Sequence, residues 1–139
     1  MATQRPHPIT ERPLDAPLLT FDIASLVAQL KGEETWHTGT RNAMTLHKGL
    51  GLRIVLIAMH ANTTVPSHRA DGPISVQVLE GVLTFRAEAH AVTLRAGQLL
   101  TLSAGIPHLV EAEEESAFLL TMGNDVPALV ERPSAAGDP

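Results

Sequence analysis

From Thr40 onward the chain is a succession of short apolar runs, each closed by a turn signal, and such punctuation leaves room for little besides an all-β fold. Ala43 to His47 and Leu52 to Ala58 are separated by Gly49-Leu50-Gly51. Ile74 to Leu79 closes on Glu80-Gly81, and Val82 to Ala87 follows directly. Ala91 to Leu94 ends at Arg95-Ala96-Gly97, and Leu99 to Leu102 runs into Ser103-Ala104-Gly105-Ile106-Pro107. His108 to Ala112 leads into the acidic Glu113-Glu114-Glu115, and Ala117 to Met122 ends the series. Strands this short, at this spacing, predict a sandwich or a closed barrel. Strand and helix patterns do not alternate, which argues against a doubly wound sheet.

Upstream the pattern differs. Residues 1 to about 20 hold Pro6, Pro8, Pro13 and Pro17, too close together for a helix and too frequent for a paired strand, so they read as an extended arm. Asp22 is placed to cap a short helix over about 22–31, whose apolar residues Ile23, Leu26, Val27 and Leu30 fall on one stripe before Gly32 stops it. That stripe needs a surface to cover, either the outside of the barrel or a second copy. A single domain over 21–123, with its barrel at about 41–123, is therefore expected. A loose tail over 124–139 follows, rich in proline and small residues.

A chain of 139 residues suffices for one core. Cysteine is absent, which removes disulfides and thiolate chemistry and suits a reducing, cytoplasmic setting. The first residues lack the apolar core of a secretion signal, and no apolar run reaches membrane-spanning length. The net charge of −5, scattered basic residues and only one Trp and three Phe give no nucleic-acid footprint.

Two segments hold the chemistry. One contains Asn62, His68, Ala70, Ile74 and Gly81; the other contains Gly97, Ser103, Gly105, His108 and Ala112. Their internal spacing, their separation, and the stretches Leu79-Glu80-Gly81 and Ala104-Gly105-Ile106-Pro107-His108 resemble the two motifs of the cupin superfamily, specifically its small single-domain RmlC-like members. The resemblance covers about Leu52 to Met122. It implies a double-stranded β-helix, or jelly-roll barrel, with the short N-terminal helix outside it.

In metal-dependent members of that family, two histidines and a glutamate of the first motif join the histidine of the second around one ion. Here only His68 and His108 stand at ligand positions, because Ala70 and Ile74 offer no donor atom. The resemblance thus implies at most a two-histidine site for one divalent transition metal (Fe, Mn, Ni or Zn), which two imidazoles alone hold weakly. His60 is the candidate third ligand, but side chains alternate along a strand. If Arg53, Val55, Ile57 and Met59 face the cavity, His60 faces out with Leu56 and Ala58 unless a loop breaks the alternation. Gln77 is likewise out of phase with Ile74, Val76 and Val78.

The expected ligand pocket comprises Arg53, Met59, His68, Val76, Val78, His108 and Met122, with Val55, Ile57, Ile74 and Leu120 as further inward-facing apolar residues. Arg53 reads either as a guanidinium that holds a carboxylate or enolate oxygen, or as a solvated residue at the rim. His37, His47 and His90 read as surface or turn residues, Asp71 as a turn residue before Pro73, and Glu80 and the Glu111, Glu113, Glu114, Glu115 cluster as solvated charge. Sugar epimerases of the same fold use a tyrosine with a His/Asp pair; this chain has no tyrosine. Two functions stay open: a small cupin that binds a small molecule in the barrel mouth, and a metal-dependent enzyme of dioxygenase or isomerase type. Whether it is an enzyme is undecided at this point. A homodimer is expected, because Ala43 to His47 otherwise presents an open sheet edge.

Overall fold

The computed structural model describes residues 12–123. Two short helices, α1 (Ile23–Gly32) and α2 (Glu34–Thr38), precede the strands. The first hairpin is β1 (Arg41–Gly49) with β2 (Leu52–Met59), and β3 (Thr64–His68) follows. Next come β4 (Ile74–Glu80), β5 (Val82–Ala87) and β6 (His90–Arg95). The last three are β7 (Leu99–Leu102), β8 (His108–Ala112) and β9 (Ser116–Gly123). They form a five-stranded sheet in the order β1-β2-β9-β4-β7 and a four-stranded sheet in the order β3-β8-β5-β6, with every strand pair antiparallel. The fold is the all-β cupin barrel that the resemblance implies.

Two cores account for the strand sequences. Between the sheets, Met59, Ile74, Val76, Val78 and Phe118 of one sheet meet Leu83, Phe85, Leu94, Val110 and Ala112 of the other. On the outer face of the five-stranded sheet, Met44, Leu46, Leu56, Ala58 and Ala117 are covered by Val27, Leu30 and Trp36 of the helices. β2 crosses both cores, so its apolar residues run without a polar interruption from Ile54 to Met59; a strand buried on one face alternates instead. The expected partner of the α1 stripe is therefore the outside of the chain's own barrel.

Asp22 caps α1 as the sequence suggests, its carboxylate accepting from Ser25 N–H at 3.3 Å. Lys31 in the last turn reaches the far end of the sheet, ion-paired with Glu80 and, at 2.7 Å, with Glu115. Partial burial pulls the Lys31 pKa down, but the hydrogen bonds it donates to Glu115 and Glu80, with their negative charges, outweigh it and the net shift is upward. Glu80 and Glu115 thus hold the end of the helix while their side chains stay about half exposed, as expected of solvated charge. Two more of the acidic residues are also engaged: Arg86 Nε donates to Glu111 at 2.8 Å, and Thr84 Oγ1 donates to Glu113 at 2.7 Å.

Three features depart from the sequence reading. The first helix stops at Gly32 as expected, but after the extended Glu33 a second helix, α2, follows. Glu33 is buried there, accepting from Asn42 Nδ2 at 2.8 Å and from Gln29 Nε2 at 3.2 Å, and Trp36 of α2 becomes part of the outer core. β3 was not anticipated, because Pro66 interrupts it; the strand lies at a sheet edge, where a missing N–H costs no ladder bond. Residues 12–15 lie along the free edge of β1, with Arg12 donating to Thr45 O at 2.7 Å and Lys48 N–H to Leu14 O at 2.9 Å. Part of the edge that motivated a second copy is thus covered by the chain's own arm. Residues 1–11 of that arm and the expected C-terminal tail lie outside the described residues.

Candidate ligand site in the barrel mouth

β3 and β8 bring the two motif histidines together through an irregular ladder. Val65 pairs with Val110, and His68 pairs with His108. Between these pairs β3 has two residues, Pro66 and Ser67, against the single Leu109 of β8. Val65 and His68 are an odd number of positions apart, so a regular strand sends them to opposite faces. The bulge restores them to the same, inward face. The rings meet edge to face, with centroids 4.3 Å apart. His108 is 4% exposed and lies against Phe85, ring centroids 5.2 Å apart and planes within 12°, whereas His68 stands exposed at the rim.

Backbone carbonyls fix both rings. Nδ1 of His68 lies 2.9 Å from Pro66 O, and Nδ1 of His108 lies 3.0 Å from Ile106 O. A carbonyl only accepts, so in the neutral ring Nδ1 holds the proton and Nε2 keeps its lone pair. Burial pushes the His108 pKa down; the hydrogen bond to Ile106 opposes this, and the neighbouring His68 adds to it.

A folded-state pKa below the unfolded value means that, under about pH 6.5, the unfolded chain takes up a proton that the folded chain resists. Stability is therefore unaffected above that pH, falls as pH drops below it, and levels off once the folded state is also protonated. Urea unfolding at pH 7.5 and 5 is expected to show this loss in the wild type and a smaller one in His108→Gln. Equal losses in the two proteins would contradict it.

The imidazole pair borders two pockets that share part of their lining, the two lobes of the barrel mouth. The first, about 180 Å³, is walled almost wholly by hydrocarbon from Ile57, Val76, Phe85, Val110 and Phe118, with Arg41 as its other polar residue. The second, about 390 Å³, is mixed and the more polar of the two, with Arg53, Arg69 and Asp71 beside Ala70 and Met122. His68, His108, Ile74 and Leu120 border both.

Of the residues expected in the pocket, His68, His108, Val76, Arg53 and Met122 line the cavity, as do Ile57, Ile74 and Leu120. Met59 and Val78 do not. Both face inward, but they are fully buried in the packed core between the sheets and leave no surface for a ligand. Val55, also buried, lines neither lobe.

His60 is not with the pair: its ring stacks on Trp36 at 3.5 Å between centroids and its Nε2 lies 2.9 Å from Trp36 O, on the helix side of the sheet. Gln77 is exposed. Arg41, Arg69, Phe85 and Phe118 were missed. The inward parity of β5 and β9 signals the two phenylalanines, but no local pattern marks the arginines.

Comparison with known proteins agrees with this geometry. A family model described as AraC-like ligand binding domain matches residues 51–132, more than half of the chain. The chain belongs to that cupin-like family. Among solved structures, the chain is similar to a conserved protein of unknown function from Streptococcus pyogenes, at 18% identity and a TM-score of 0.66, over 86% of this chain and 99% of that one. A cupin superfamily protein from Desulfitobacterium hafniense matches at 17% identity and a TM-score of 0.64, over 82% and 95%. An RmlC-like cupin from Desulfovibrio desulfuricans matches at 23% identity and a TM-score of 0.56, over 60% and 82%. These likenesses establish the fold. No curated protein matches the chain.

The donor set of this cupin does not fit the metal centre of its metal-dependent relatives. Where that centre needs a second imidazole and a carboxylate, Ala70 packs against the core and Ile74 is 6% exposed, a hydrocarbon wall between the lobes. Among the described residues no group of three His, Asp or Glu converges on one point. Also among the described residues, no helix is long and apolar enough to cross a membrane.

Proposed function

We propose that this cupin is a binding module whose barrel mouth takes a small organic molecule, without a resident metal ion. The supporting observation is the wall of the first lobe: almost wholly hydrocarbon apart from Arg41, with an imidazole pair shared with the more polar second lobe. An apolar body buried in that lobe leaves water at about 25 cal/mol per Å². Two Nε2 lone pairs at its boundary accept hydrogen bonds from a hydroxyl or amide. Small-molecule sites commonly have this composition, mostly apolar with a few convergent polar groups.

Each imidazole is oriented by a backbone carbonyl and not by a carboxylate, so neither has the partner that raises the basicity of a catalytic histidine. Two imidazoles with no third donor hold a divalent ion only weakly.

Methyl NMR of the full chain after chelator treatment tests the proposal, with benzene and cyclohexanol as probes. Shifts at Ile57, Ile74, Val76 and Leu120 that persist in chelator are expected. Absence of any shift, or binding that appears only with stoichiometric Zn²⁺ or Fe²⁺, would overturn it.

A further inference from the structure

We infer that the ligand is an amphipathic carboxylate, with its apolar part in the first lobe and its carboxylate on Arg53 in the second; this rests on the binding function proposed above. Arg53 is on β2, paired with Met122 of β9, and lines the second lobe. Its Nε is buried and has no hydrogen-bond partner among the described residues. A buried guanidinium N–H left unpaired is costly, and native structures normally satisfy such groups. The partner that satisfies it best is a carboxylate, which accepts from two N–H groups of the fork at once.

The neighbourhood favours an anion. Arg69 lines the same lobe, and its one acidic side chain, Asp71, is exposed on the turn before Pro73. His68 and His108 border both lobes, as do Ile74 and Leu120, so a molecule that occupies both lies against the imidazoles with its apolar part among hydrocarbon side chains. Arg41 at the first lobe is exposed on the edge strand β1, where water satisfies its guanidinium. It is the less favoured anchor.

Hexanoate and 1-hexanol share a hydrocarbon tail and differ in charge, so calorimetric titration of the full chain with each isolates the head group. Charge-assisted hydrogen bonds of this kind give roughly a tenfold to hundredfold preference for hexanoate. Arg53→Met is expected to erase that preference while hexanol binding persists, which also reports an intact barrel; Arg41→Met is expected to leave it unchanged. If Arg53→Met loses both ligands, Arg53→Lys gives the same comparison with the cation kept and the fork removed: a smaller hexanoate preference supports the assignment, and an undiminished one overturns it. Equal affinities in the wild type, or a preference abolished by Arg41→Met and not by Arg53→Met, would also overturn it. Failure of both molecules to bind would instead count against the binding function itself.

Discussion

Gly81→Ala is expected to remove roughly 2–5 kcal/mol of folding stability, a large share of what a domain of this size has. Gly81 joins β4 to β5 with φ +87°, a conformation that an L side chain adopts at a cost of about 1–2 kcal/mol. A Cβ built there meets Ser116 Oγ at 2.2 Å, Glu115 O at 2.4 Å and Ser116 Cα at 2.6 Å. Two of these three atoms are backbone and cannot step aside as a flexible side chain does. The third is engaged: Ser116 Oγ accepts from Val82 N–H at 3.0 Å and lies 2.8 Å from Glu114 O, to which it donates. The turn, the start of β5 and the loop before β9 are therefore locked together, and one methyl group forces them apart.

Gly97 supplies the control. Its φ is +88°, yet a Cβ there meets nothing within 4 Å, so Gly97→Ala bears the backbone cost alone, about 1–2 kcal/mol. Urea unfolding of both variants separates conformational strain from steric conflict. A Gly81→Ala loss no larger than that of Gly97→Ala would show that the described contact is absent.

Phe85→Ala is expected to cost about 3–5 kcal/mol, the usual range for truncating a buried aromatic residue. Phe85 is 2% exposed, contributes to the core between the sheets, and forms one wall of the hydrocarbon lobe against the His108 ring. Its loss enlarges a cavity that already exists, so the surrounding strands have little to collapse onto. It also exposes His108, whose low pKa arises first from burial. The loss of stability below about pH 6.5 is therefore expected to be smaller in Phe85→Ala than in the wild type. Urea titrations at two pH values measure both effects. A stability loss under about 1 kcal/mol, or an undiminished pH dependence, would contradict the packing described.

Most strands were legible because their causes are local. β4, β5, β7 and β8 announce themselves as short apolar runs and by the turn residues that close them. α1 announces itself by its stripe and by Asp22. β3 and α2 were hidden for equally physical reasons. Pro66 reads as a breaker wherever a strand has neighbours on both sides, and only the edge position of β3 makes it harmless. Gly32 reads as a stop, and α2 restarts because Asn42 and Gln29, distant in sequence or one turn back, satisfy the buried Glu33 between the helices.

The amino-acid order by itself determined the all-β architecture and the two histidine-bearing segments, because each follows from residue type and spacing along the chain; the missing donors at 70 and 74 follow from the resemblance of those segments to the cupin motifs. Only the tertiary structure decided that Val65 and His68 share a face, since a bulge opposite Leu109 overrides the two-residue period of β3. It alone decided that Met59 and Val78 are packed core and that Arg53 and Arg69 share one lobe with the imidazoles. Such facts depend on which strands become neighbours and how deeply the sheets interlock. Hydrogen-bond register and packing set those across the whole barrel, and no local stretch of sequence encodes them.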